Sequence, residues 1–415
     1  MRCVRTYVSV VIVMITFGLA AVTAVPVAAQ TATSPQASAV FDAAKRKRTR
    51  HQIGDYFSVS FYSTLSHLAE RERRRDDDVR DGLDQTQLLL GFVGKVHLRP
   101  WLMAFVHAET SLQDRKTHIS RGRLTNPQLK EALIAVRLSP ATTLSFGRLR
   151  LSDAHRWVAD ASVDGVHIGH RVGARVLEFA AFSGTRKITA DFLLVHFGHA
   201  GPATRWGVLG LAERDRGAQR LHVHGYFARV ASERLHYQAN IGVLAGDAMH
   251  GASAGLGFDV RAIRRLGGGK RKPQLSFGLA YGSRGFAQPG LHTNKTYDGG
   301  QFQFHRYGYV YQAELTNMAA LQMGLGLRPS RRFSADLLIS AYAQPATSSI
   351  GPDARFDGLT TGRSHFLGHE IAVVGAWRPS KAVKVEAGAG RFKPGRAYVD
   401  RSTASRAFAR ISVQF

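Results

Sequence analysis

The chain has 415 residues, with 56 Lys and Arg against 30 Asp and Glu, and a formal net charge of +26. Its single cysteine, Cys3, lies in the first few residues, which excludes a disulfide scaffold or a thiolate metal centre for everything that follows. A basic surplus of this size argues for an anionic partner, whether nucleic acid, lipid headgroup or acidic polymer, and the export expected from the first residues makes nucleic acid the weakest of these.

Residues 1–29 open with Arg2 and Arg5, continue as an uncharged apolar run, and end in Val27-Ala28-Ala29. That order is expected of a secretory signal peptide cleaved after Ala29, and it outweighs an uncleaved membrane anchor because Pro26 interrupts the apolar run. Residues 30–52 hold few large hydrophobes and end near the basic run KRKRTR at 45–50. They are expected to form a solvated periplasmic N-terminal tail.

From residue 53 to residue 415 the recurring pattern has a period of two. In FSVSFYS, Phe57, Val59 and Phe61 alternate with Ser58, Ser60 and Tyr62. In QLLLGFVGKVHL, Leu88, Leu90 and Phe92 oppose Gln87, Gly91, Lys95 and His97. Such alternation over many segments of about ten residues predicts tilted membrane-spanning strands. Their cores start near residues 53, 85, 101, 129, 142, 162, 174, 189, 204, 219, 234, 250, 273, 319, 332, 367, 381 and 405. Pro100, Pro140, Pro329 and Pro379 each follow an even-numbered strand and mark tight turns on one rim. Longer polar stretches at 69–85, 112–128 and 344–365 mark the other. The fold expected is all-β: a transmembrane antiparallel up-and-down β-barrel of about 18 strands, both termini periplasmic, with residues 306–315 either an extra strand or part of a long loop. The closing segment RAFARISVQF then pairs with the first strand and removes an open edge that lipid would leave unsatisfied.

A barrel of this size leaves a water-filled lumen, onto which the polar phase of each strand faces. That phase supplies Arg137, Arg171, Lys384 and Arg410, with Glu370, Glu386, Asp336, His167, His222 and His224. Basic groups dominate, and rings of Arg and Lys favour anions. The densest stretch, residues 131–171, adds Arg148, Arg150, Asp153, Arg156, Asp160 and Asp164 around Trp157. Alternation places Arg148 and Arg150 on the lipid face, so a bulge near Gly147 is expected to turn them inward; without one they lie at the aqueous rim. The three aspartates are expected to orient the arginines.

The run FGRLRLSD…RW…DGVHI resembles the alginate-export family of outer-membrane porins, as does LGHEIAVVGAWRPSKAVKVEAGAGRFKPG near the end. The resemblance implies an eighteen-stranded porin whose cationic lumen conducts an anionic polysaccharide, with Arg148, Arg150, Asp153, Arg156, Asp160 and Asp164 in its selectivity region. It also implies that the terminal Phe415 is read by the barrel-assembly machinery. The expected location is the outer membrane of a Gram-negative bacterium. Lipopolysaccharide and a periplasmic polysaccharide-export component are expected partners, and the barrel is expected to be a monomer. Uptake of small anionic solutes is the alternative transport reading. No enzyme activity, cofactor or metal is expected: the nearest nucleophile pair, Ser152 and His155, has nothing around it to raise it, His222 and His224 lack a third ligand, and GGGKRKP at 267–273 lacks the spacing of a phosphate loop.

Overall fold

The computed structural model describes residues 51–53, 56–71, 74–75, 82–117, 120–185, 189–232, 234–249, 252–267, 273–297 and 300–414. The expected signal peptide, nearly all of the N-terminal tail and Phe415 lie outside these. Eighteen antiparallel strands close into one barrel. They are β1 (Phe57–Arg71), β2 (Leu83–Arg99), β3 (Leu102–Thr117), β4 (Arg121–Arg137), β5 (Thr142–Ser152), β6 (Asp160–Val172), β7 (Arg175–Gly184), β8 (Asp191–Ala200) and β9 (Thr204–Asp215). The circle continues with β10 (Ala218–Ser232), β11 (Leu235–Met249), β12 (Ala252–Arg265), β13 (Gln274–Gly282), β14 (Met318–Ser330), β15 (Phe333–Ala343), β16 (Phe366–Trp377), β17 (Val383–Pro394) and β18 (Ala404–Gln414). The final strand pairs with the first from Tyr62 opposite Gln414 to Arg71 opposite Ser405. Every strand is therefore hydrogen-bonded on both sides, as a spanning sheet in hydrocarbon requires.

The period-two pattern reads out as expected. Phe61, Leu88, Ile134, Phe146, Val166, Ile241, Val373 and Ile411 are exposed on the outer face. Trp206 and Trp377 stand on that same face beside the tight-turn rim, where interfacial aromatics belong. Three of the four turn prolines lie in the connections; Pro329 sits in the last residues of β14.

The opposite rim differs in two places. Residues 112–128, expected as a loop, are mostly strand: β3 runs to Thr117, β4 begins at Arg121, and even Pro127 pairs with Thr110. This hairpin rises above the hydrocarbon, where both faces meet water, so its alternation is masked by polar side chains. Residues 216–217 join β9 to β10 in a two-residue turn, with Arg216 at φ 47° and Gly217 at φ 93°. Both central residues are left-handed, as the favoured hairpin turn requires.

The bulge expected at Gly147 is absent. Pairing of β5 runs without a shift against β4 and β6 on either side. Gly147 takes φ 115°, and a Cβ there would meet the Ala132 carbonyl oxygen at 2.4 Å, so glycine relieves a pinch between strands without adding a residue. The bulge lies one strand earlier. Leu129 faces Ala108 and Glu131 faces His107, which leaves Lys130 as the extra residue.

The interior is not an open tunnel. The described residues of 283–317, which contain the ambiguous stretch 306–315, form no further barrel strand. They fold into the barrel and bury Phe286, Phe302, Phe304, Tyr307, Tyr309, Tyr311 and Leu315. The β5–β6 connection turns inward as well and buries Trp157, whose Nε1 donates to the Tyr307 hydroxyl at 2.6 Å.

Candidate channel lining

The inserted segment is held mainly by charged groups of the barrel wall. Glu370 of β16 accepts from the backbone N–H of Tyr309 at 2.5 Å and of Tyr311 at 2.9 Å. Arg306 donates to Asp259 of β12 at 2.9 Å and to the His155 carbonyl at 2.9 Å. Arg261 reaches the Arg306 carbonyl at 2.5 Å, and Arg406 of β18 reaches the Tyr309 carbonyl at 2.8 Å. Tyr311 stacks on Phe392 with ring centres 4.5 Å apart. Buried charges survive only when paired and hydrogen-bonded, and here the charged groups hold peptide groups of the insert.

This packing makes the free space eccentric. On β10 to β16 the inward polar side chains His224, Asn240, Asp259, Arg261, Gln322 and Glu370 are buried, Asp259, Arg261 and Glu370 by bonding the segment and Asn240 by bonding His155 of the β5–β6 connection. On β1 to β4 and on β17 and β18 the equivalents Tyr62, Gln87, Glu109, Gln113, Lys384 and Arg410 keep part of their surface open. The segment turns Lys295 and Tyr297, both exposed, toward this second wall. Lys384 lies 6.0 Å from the Tyr297 ring centre. It donates to Glu386 at 2.6 Å, and Arg410 approaches the same carboxylate at 3.7 Å. Lys295 reaches solvent within the passage, yet the surrounding protein holds its ammonium below the ordinary lysine value. Asp160 opposes that shift, and the Arg410, Arg156 and Arg150 guanidinium groups reinforce it. The bulge brings in one more cation: Lys130 approaches Glu109 at 3.4 Å.

The residues singled out from sequence therefore divide into five groups. Lys384 and Arg410 line the passage. Arg150 and Arg156 meet at Asp160, which also accepts from the Thr293 hydroxyl of the insert at 2.8 Å; this cluster ties the β5–β6 connection to the segment beside Lys295. Arg137 and Arg171 lie apart from both, lining a cavity of about 350 Å³ at the tight-turn rim. Arg148 is on the outer phase with Phe146, and forms a two-pronged pair with Asp164 at 2.7 and 2.8 Å, both partly open to solvent. Without a bulge it occupies the aqueous rim. Asp153 does not hold an arginine side chain: it accepts from the backbone N–H groups of His155, Trp157, Val158 and Ala159 and so shapes its own loop.

Sequence reasoning missed Lys130, Lys295 and the seating role of Glu370. A signal for the insert was available: residues 283–317 hold Phe286, Phe302, Phe304, Tyr307, Tyr309 and Tyr311, too much aromatic surface for a solvated loop. Among the described residues no cluster of His, Cys, Asp and Glu has the geometry of a metal site.

Comparison with known structures places the barrel among outer-membrane porins. OccAB1 of Acinetobacter baumannii superposes with a TM-score of 0.61 at 9% identity, covering 86% of this chain and 97% of that one. OccK5 (OpdH) of Pseudomonas aeruginosa gives 0.57 at 8% identity, with 87% and 98% covered. The outer membrane protein OprD of the same species gives 0.54 at 11%, with 86% and 91% covered. No curated protein matches the chain. Residues 96–412 match the family described as alginate export, which spans most of the barrel. The chain is a member of the alginate export family, built as an 18-stranded barrel of the Gram-negative outer membrane.

Proposed function

We propose that this barrel passes an anionic polysaccharide of the alginate type, a uronate polymer, outward along the eccentric passage, with no energy-coupled step and no catalysis. The observation that carries the reading is the run of cations on both sides of that passage. Lys295 stands on the insert, and Arg410, Lys384 and Lys130 on the wall, with Glu386 and Glu109 as their partners. In a confined space such a field concentrates anions, and closely spaced cations relay a repeating carboxylate from one to the next. The mature chain begins after residue 29, reaches the membrane through the barrel-assembly machinery, sits in lipopolysaccharide as a monomer, and receives polymer from a periplasmic export component.

The narrowing by residues 283–317 favours a second reading, uptake of small anionic solutes. Planar-bilayer recording separates the two. The purified barrel selects anions, and polyuronate blocks the current at low salt and less at high salt, because the screening length falls from about 10 Å at 0.1 M to about 3 Å at 1 M. Lys295→Glu together with Arg410→Glu moves the reversal potential toward cations. Cation selectivity in the unaltered protein, or no response to the double substitution, refutes the electrostatic reading. Anion selectivity without polymer block selects small-solute uptake.

A further inference from the structure

The lipid-facing wall is hollowed where β16, β17, β18 and β1 lie side by side across the closing seam, and the hollow has a volume of about 420 Å³. Its outward side chains stand in register across the four strands. Arg391, Ser405 and Arg71 form the row nearest the long-loop rim. Below them Ala389, Ala407 and Ala69 form a floor, which Ala387 and Ala409 continue. Val385 and Ile411 then restore full-sized apolar side chains and close the lower end. Ile371 and Val373 stand along one side, both half-exposed. The result is a trough that opens upward onto two guanidinium groups. Arg71 and Arg391 are exposed, and among the described residues neither has a carboxylate partner. The same holds for Lys393, two residues beyond Arg391 on the same outward phase. The carboxylates around them are turned elsewhere. Glu70 points inward to Arg355 and Arg406, and Asp84, opposite Ala69, is approached by His67 at 3.8 Å. Charge on the lipid-facing phase is tolerated only near the interface, which is where these three cations lie.

We infer that this trough binds the lipid A part of lipopolysaccharide, with Arg71, Arg391 and Lys393 on its phosphates and one acyl chain lying over the alanines. The site does not depend on which solute the channel passes. Guanidinium groups grip phosphate through two parallel hydrogen bonds. Arg71 and Arg391 are two ladder spacings apart, about 9.5 Å, which suits a headgroup that carries a phosphate at each end of a disaccharide. Tight turns mark the periplasmic rim of such barrels, so the trough opens toward the outer leaflet, where lipopolysaccharide resides. Its volume falls within the range for small-ligand sites, about 300–1,000 Å³, room for part of one chain below the headgroup. A second barrel is a poor occupant. A two-fold interface brings the same patch of each copy together, and here that sets unpaired cations against unpaired cations.

The test is lipid binding by the whole barrel. Protein refolded in mild detergent is titrated with bis-phosphorylated lipid A, and bound lipid is counted by native mass spectrometry. One lipid A is expected per barrel, with dephosphorylated lipid A and phosphatidylglycerol each bound about tenfold more weakly. Arg71→Gln with Arg391→Gln raises the dissociation constant for lipid A about tenfold or more, and Ala407→Leu, which fills the trough, also raises it. Arg264→Gln, an outward arginine of β12 at the tight-turn rim, leaves it unchanged. Unchanged affinity in the double arginine variant, or equal binding of the dephosphorylated lipid, overturns the site. Phosphatidylglycerol bound as tightly as lipid A overturns the assignment to lipopolysaccharide. A mass of two barrels that lipid A does not separate gives the face to a second copy and overturns it as well. If a variant does not fold, the comparison of the three lipids on the unaltered barrel decides. Ion selectivity in planar bilayers stays as it was in every variant, so failure here leaves the channel reading standing.

Discussion

Glu370→Ala probes the seating of the insert directly. Glu370 is 2% exposed and supplies the acceptors for two backbone N–H groups of residues 283–317. A hydrogen bond to a charged group contributes about 1.5–3 kcal/mol, so removing both withdraws about 3–6 kcal/mol from the seated state. The ties through Arg306 and Asp259, and from Arg406 to the Tyr309 carbonyl, remain. The wall itself keeps its pairing, because the backbone of β16 is unchanged. At about 1.4 kcal/mol per decade, the lower figure raises the unseated population roughly a hundredfold. In planar bilayers this appears as frequent excursions to a larger conductance, and on intact cells as new protease cleavage within 283–317. A variant with the current noise and protease resistance of the unaltered protein shows that Glu370 does not seat the segment.

Two further substitutions separate channel lining from scaffold. Arg148→Glu leaves the reversal potential where it was, because Arg148 and Asp164 form a rim pair, and pairs of this exposure contribute about 0–1 kcal/mol; a shift toward cations places Arg148 in the passage and contradicts the outward phase. Phe392→Ala removes the ring that stacks on Tyr311 in a fully buried cluster and costs about 3–5 kcal/mol, read as a lower unfolding midpoint in urea; a midpoint within error of the unaltered protein shows that the cluster does not brace the insert.

The barrel was legible because lipid outside and polar lining inside impose a period of two on every strand, as at Phe61 against Tyr62 and Ser60. The prolines after even-numbered strands were legible because a tight turn at the membrane edge leaves little choice of backbone. Arg148 and Arg150 were harder. Alternation put them outward, and the cost of charge in lipid suggested an inward twist; for Arg148 the simpler answer is that the strand has already left the hydrocarbon. The bulge was sought beside the arginines and lies across the ladder at Lys130, where nothing local marks it. The β3–β4 hairpin escaped notice because periodicity fades when both faces are wet. The insert's location was beyond reach for a different reason: its contacts join Tyr309 to Glu370 and Trp157 to Tyr307, and sequence spacing carries no trace of such pairings. Its aromatic richness was the one local clue.

The seam between β1 and β18 joins Thr64 to Ser412, side chain to side chain, across 348 positions of the chain. No nearer contact can stand in for it, so the cylinder has no watertight intermediate. Until the last strand is delivered, the growing sheet carries two raw margins, and each is a template for any stray extended segment. Contacts of such long range form slowly. A late truncation or a stalled terminal strand therefore yields a gaping curl, prone to stick to its neighbours, in place of a slightly smaller pore.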